Sequence, residues 1–179
     1  IYIYIYLYLY YIMVKYTGRR DAAISLTELK ENKAAKKTDG RKTKSIRGIP
    51  KLMDANWAGT TRSKDCVLIL CEGDSAKAGI VSGLSKDDRN KYGVFPLKGK
   101  LMNVLDINQS KLNSNAEIAN IKKIMGLETN QTYKDIDEVH KRLRYGKVLF
   151  MTDQDLDGAH IKGLCLNLFH SQWHDLINQ

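Results

Sequence analysis

The chain has 179 residues, 43% of them hydrophobic, which is room for one ordinary domain with its own core plus extensions. The three cysteines have no Cys-x-x-Cys spacing, and their odd count, with the apolar context of Cys66 and Cys165, suggests reduced, buried thiols in an intracellular protein. The net charge of +9 is uneven: Lys15 to Lys51 carries 12 Lys and Arg against four Asp and Glu, whereas Leu52 to Gln179 carries 17 against 16. A basic segment of that kind points to a polyanion, nucleic acid above all, and equally reads as a solvated linker.

Residues 1–14 alternate Ile or Leu with Tyr and carry no charged side chain. The alternation is a strand pattern, low in complexity and prone to aggregate. It is too short to span a membrane as a helix. The repeat resembles translation of an alternating A/T tract, with Met13 as a candidate true start, and no function is assigned to it. Residues 15–65 form a basic linker and lead-in, with a short helix expected around Ala22 to Lys37.

Cys66 to Leu70 is a continuous apolar run, the pattern of a strand buried on both faces of a parallel sheet. It delivers Glu72 to a strand end, with Gly73 in the turn and Asp74 or Ser75 as cap of a helix over Ala76 to Leu84. For Asp74 the capping role is preferred to a metal role. Tyr92 to Pro96 reads as a strand stopped by proline, followed by Lys98-Gly-Lys100, a compact cationic turn suited to a phosphate or to a surface charge pair. Ser114-Asn-Ala-Glu117 has the form of a capping box, with Ile118, Ile121, Ile124 and Met125 on one face and Gly126 as the stop. A second amphipathic helix is expected over Lys134 to Leu143, with Ile136, Val139 and Leu143 inward.

Val148 to Met151 is another short apolar run, read as buried on both faces, and it ends in Asp153, Asp155 and Asp157. Acids just past a strand's carboxyl end sit where open α/β sheets hold ligands. Three carboxylates in five residues repel unless a cation joins them, and an all-oxygen set suits magnesium. An EF-hand loop is disfavoured, since its twelfth position would be Leu164 rather than Glu and a strand rather than a helix precedes it. Ile161, Leu164, Cys165 and Leu168 mark a helix packing back on the sheet. His170 and His174 have zinc-pair spacing but no evident third ligand, so satisfied or solvated histidines are preferred. The alternation of helix and strand predicts a small α/β fold with a mainly parallel sheet flanked by helices. Glu72 and the Asp153 cluster can then meet at one edge, with lysines nearby, an arrangement suited to metal-assisted chemistry at a phosphodiester.

Several stretches together, in order, resemble the Toprim domain of type II DNA topoisomerases. They are Glu72-Gly-Asp-Ser-Ala76, Pro96-Leu-Lys-Gly-Lys100, Ile121-Lys-Lys-Ile-Met-Gly-Leu127, Arg144-Tyr-Gly, and Met151-Thr-Asp-Gln-Asp-Leu-Asp-Gly-Ala-His-Ile-Lys-Gly163. The lead-in from Gly48 to Gly59 is similar to that of the eukaryotic enzymes rather than bacterial gyrase. The resemblance implies a Toprim-like, Rossmann-like fold over residues 66–179, ending before the later strand of the domain. It implies that Glu72, Asp153 and Asp155 are catalytic and hold Mg2+, with Asp157 as a supporting acid. Lys98, Lys100 and Asn103 would contact double-stranded DNA near the cleaved phosphate. The family enzyme is a nuclear homodimer that uses ATP in a separate domain and attacks DNA with a tyrosine from a winged helix. No tyrosine here matches that setting, and the isolated chain is expected to be inactive. Lys98 stands where the family usually has arginine, which keeps the charge and loses the bidentate fork. Ala159 stands where serine is usual. The alternatives are a DNA-binding module without chemistry and an inactive gene fragment. Primases of the Toprim group, and phosphotransferases outside it, fit fewer of these stretches.

Overall fold

The computed structural model of the protein describes residues 24–177, so the Ile/Tyr repeat lies outside the described residues. Helix α1 covers residues 24–38. A lead-in that bridges Met53 to Val94 and makes a short 3-10 turn at Ser63–Asp65 then reaches β1 (Val67–Glu72), which runs into α2 (Gly73–Gly83). The short α3 (Asp88–Lys91) precedes β2 (Tyr92–Leu97). Next come α4 (Gln109–Ser114), α5 (Ala116–Met125) and α6 (Ile136–Arg142). The last elements are β3 (Lys147–Met151), α7 (Leu156–Gln172) and α8 (His174–Ile177).

Among the described residues the three strands form one parallel sheet in the order β2-β1-β3. The register pairs Glu72 with Leu97 on one side and Cys71 with Met151 on the other. All three strands therefore end at the same edge. Ile69 and Cys71 point to one face, where Ala76, Ile80 and Val81 of α2 cover them. Leu68 and Leu70 point to the other, into the main core with α5 and with Ile161, Leu164, Cys165 and Leu168 of α7. The helices that follow the neighbouring strands β1 and β3 thus pack on opposite faces of the sheet. That is a topological switch point, the place beyond the strands' carboxyl ends where open α/β sheets hold their ligands.

The inward faces of α5 and α7 are as the residue spacing predicts, and Gly126 ends α5 in the left-handed region with φ 83°. Several expectations are corrected. β3 is not buried on both faces: it is an edge strand of the described sheet, and Leu149 and Met151 are exposed, while α2 packs on β1 and β2. β2 is not stopped at Pro96 but includes it and Leu97; an edge strand tolerates a residue without an N–H. Helix α2 begins at Gly73, so neither Asp74 nor Ser75 is its cap. Ser114 closes α4 instead of capping α5, and Asn115 is the cap, accepting from the amides of Glu117 and Ile118. Ile136 is exposed, and only Val139 and Leu143 of its trio turn inward.

Candidate functional site

Glu72 is the last residue of the central strand and stands at the switch point between β1 and β3. It occupies the N-cap position of α2 without making a capping bond, and Gly73, at φ 79°, turns the chain immediately behind it. Its Oε2 is buried with no hydrogen-bond partner. A carboxylate oxygen removed from water and left unpaired is costly, so this atom calls for a partner such as a water or a cation.

The acidic turn follows the neighbouring strand. Asp155 caps α7, with Oδ1 accepting from the Gly158 amide at 2.7 Å. Thr152 Oγ1 donates to the Gly158 carbonyl at 3.1 Å. Gly158 is buried so closely under the turn that a Cβ there would lie 2.1 Å from the Asp153 carbonyl oxygen. Asp153 itself is exposed at the strand exit. Asp157 pairs through Oδ1 with Lys100 Nζ at 2.8 Å. The hydrogen bond and charge of that ammonium hold the Asp157 carboxyl below the usual carboxylate range. On the α2 side Asp74 pairs with Lys51, which lowers its carboxyl in the same way.

The cationic turn leaves the sheet on the far side of β1. Gly99, at φ 77°, reverses the chain between Lys98 and Lys100. The Lys98 amide donates to Glu117 Oε1 at 2.8 Å, fixing the turn to the start of α5. Asn103 Oδ1 accepts from the Leu105 amide at 3.1 Å and from Asn167 Nδ2 of α7 at 3.0 Å. The structure thus brings Lys100 to Asp157, and Asn103 to the helix that carries the acids. It does not gather the acids themselves: among the described residues no three His, Cys, Asp or Glu side chains form a group that could hold a metal. His170 and His174 lie edge to face at 4.6 Å between ring centres.

The donor set still fits a hard divalent cation. It is all oxygen, it lies at the ends of two adjacent strands, and one of its oxygens is orphaned. To hold such an ion, Glu72, Asp153 and Asp155 would have to draw together, with Asp157 beside them.

Lys51, Glu117 and Asn167 also belong to the site's framework, and residue spacing gave no signal for them. Their partners lie 23, 19 and 64 positions away, so only the folded chain joins them. The Asp54 clamp is a further example. Arg144, fully buried, grips the Asp54 carboxylate and donates through Nε to the Thr43 carbonyl at 2.7 Å. Tyr145 donates its hydroxyl to Asp54 and accepts from the Ala55 amide at 3.0 Å, and burial pushes its phenol well up. The clamp ties the lead-in to the turn that launches β3. The three cysteines are buried and free, and burial pushes the Cys165 thiol up to about 12. They stay protonated near neutral pH and take no part in the site.

A family model described as Toprim domain matches residues 67–179. The DNA topoisomerase 2 of Drosophila melanogaster is 50% identical over 161 residues, covering 90% of this chain and 11% of that protein. The Pisum sativum DNA topoisomerase 2 is 49% identical over 92% of the chain and 11% of that protein. Human DNA topoisomerase 2-alpha is 54% identical over 79% of the chain and 9% of that protein. The chain therefore spans about a tenth of the length of these curated relatives. A solved structure of the DNA-binding, cleavage and re-ligation domain of Plasmodium falciparum topoisomerase II is 53% identical. It aligns with a TM-score of 0.69 over 74% of this chain and 18% of that one. With a matching family model over most of its length, these relatives, and a sheet whose acids stand at the switch point, the chain belongs to the Toprim domain family as represented in eukaryotic DNA topoisomerase II.

Proposed function

We propose that this chain supplies the metal-binding part of an ATP-dependent type II DNA topoisomerase that cleaves and re-ligates both strands of DNA. The observation that carries the reading is the strand register. It brings Glu72, the Asp153–Asp157 turn and the Lys98–Lys100 turn to one edge of three adjacent parallel strands, with Glu72 Oε2 buried and unpaired. Bound by Glu72, Asp153 and Asp155, Mg2+ would neutralise charge on the scissile phosphate and ease the build-up of charge on the attacking and leaving oxygens. Asp157 adds a supporting negative charge. Lys98 and Lys100 hold the DNA backbone beside the acids, and Asn103 anchors the loop that carries them.

The nucleophile comes from another segment. Among the described tyrosines, Tyr133 and Tyr145 are buried, and Tyr92 begins β2 at the opposite end of the sheet from the acids. The ATPase is likewise supplied elsewhere, and the working enzyme is a homodimer acting on chromosomal DNA in the nucleus. A second reading is a DNA-binding module without chemistry. Its support is that the acids are not gathered and that Lys100 already engages one of them.

The test is a graft. Residues 48–177 replace the corresponding segment of a whole type II topoisomerase, and Mg2+-dependent cleavage complexes are counted on plasmid DNA. The graft is expected to cleave, and Glu72→Gln or Asp153→Asn within it to lower cleavage at least about 100-fold. Cleavage that survives both substitutions overturns the metal reading, and a graft that binds DNA without ever cleaving it favours the module.

A further inference from the structure

The acids along the sheet edge differ in what they already hold. Asp74 is paired with Lys51, Asp157 with Lys100, and Asp155 spends Oδ1 on the Gly158 amide, while Glu72 Oε2 has no partner. The Lys100–Asp157 pair joins the exits of β2 and β3, the two strands that flank Glu72 on β1. It therefore sets one of the two lysines of the cationic turn against one of the site's acids. We infer that, within the reading just proposed, Lys100 is a resident counter-cation: it holds Asp157 while the acids carry no metal, and passes to a DNA phosphate when a divalent ion takes over the charge of the acidic turn.

Three features fit this exchange. The pair is half exposed on the lysine side and more on the aspartate side, at 46% and 67%, so water can take up either partner and the pair opens at little cost. The loop need not move, because Glu117 holds the Lys98 amide and Asn167 holds Asn103 on either side of Lys100. Lys98 lies two residues away across Gly99 and is fixed by its backbone to Glu117, a carboxylate outside the metal set. Metal and DNA then help each other through one side chain. A metal frees Lys100 for phosphate, and a phosphate that draws Lys100 away bares Asp157 for the metal. Such coupling is reciprocal by thermodynamic necessity. A solvent-exposed ion pair limits its size to about fivefold in affinity.

The experiment is calorimetric titration of Mg2+ into the full 179-residue chain without DNA, for the wild type, Lys100→Met, Lys98→Met, Asp157→Asn and Glu72→Gln. Lys100→Met is expected to bind Mg2+ about two- to fivefold more tightly than the wild type, and clearly more tightly than Lys98→Met, which removes the same charge. The gain should vanish when Lys100→Met is made in an Asp157→Asn background, as in a double-mutant cycle. With a short duplex present, Mg2+ should tighten DNA binding more in the wild type than in Lys100→Met. Equal Mg2+ affinities for the two lysine variants, or a Lys100 effect that persists without Asp157, overturn the exchange while leaving the metal site standing. Mg2+ binding that Glu72→Gln does not weaken removes the metal site, and the exchange falls with it.

Discussion

At the scale of single residues, two glycines of α7 show what the acidic turn demands. Gly158 leaves no space for a side chain: its Cβ would meet the Asp153 carbonyl oxygen at 2.1 Å and Thr152 Oγ1 at 3.0 Å. Gly163, one and a half turns on, has nothing within 4 Å of the same position. Gly158→Ala must push the Asp153 backbone away, and overpacking of this kind costs about 1–3 kcal/mol. Gly163→Ala, in an open helical position, should instead stabilise by up to about 1 kcal/mol. Thermal unfolding of both variants checks the pair, and Mg2+ titration should show the loss only for Gly158→Ala. Equal melting temperatures would mean that the turn is not packed on Gly158. The three aspartates were plain in the sequence because charge repulsion within five residues needs a reason. Which of them caps α7 and which meets a lysine was not, since Lys100 lies 57 positions from Asp157.

At the scale of elements, helix α1 is held to the domain by a buried cation. Lys122 of α5, only 1% exposed, reaches Thr38 Oγ1 at the end of α1 at 2.9 Å and Asp39 Oδ1 just past it at 2.8 Å. Asp39 Oδ1 also accepts from the Thr129 amide at 2.9 Å, and the Gly40 amide donates to the Leu127 carbonyl at 2.8 Å. Lys122→Met would keep the side chain's length and leave Asp39 without its cation. Breaking a buried pair from one side is expected to cost about 3 kcal/mol. Urea unfolding should report that loss, and limited proteolysis should cut within residues 24–38 before it touches the sheet. A variant as stable and as resistant as the wild type would show that α1 is held by other contacts.

Periodicity found α5 and α7 and their inward faces, because a helix that buries one stripe shows it locally. It misjudged β3, because an apolar run looks the same whether one face or two are covered, and cover depends on where α2 lies. It also placed the cap of α5 one residue early. The Ser-x-x-Glu spacing was real, but Ser114 is claimed by α4 and Glu117 by the Lys98 amide.

At the scale of the whole molecule, the fold class was legible from two apolar runs with acids at their ends, whereas strand order and register came only from folding. Charge raises the larger question. The sheet edge that should meet DNA is lined with carboxylates, so attraction has to come from cations around it. The basic stretch from Lys15 to Lys51 carries most of the net +9, and its Lys44 and Arg47 are exposed. Within the site the cationic turn adds Lys98 and Lys100. Duplex affinity should therefore fall steeply with salt, with the logarithmic slope growing by about 0.9 for each phosphate neutralised. Anisotropy of a labelled duplex between low and moderate salt gives that slope. Lys98→Ala should reduce it by about 1 under all conditions, the mark of a single phosphate contact. Lys100→Ala should behave differently. Without Mg2+ its partner is Asp157, and its removal should change the slope little; with Mg2+ present the loss should approach that of Lys98→Ala. If neither lysine alters the slope while Lys44→Ala and Arg47→Ala do, DNA meets the lead-in alone, and the cationic turn serves only to balance the acids.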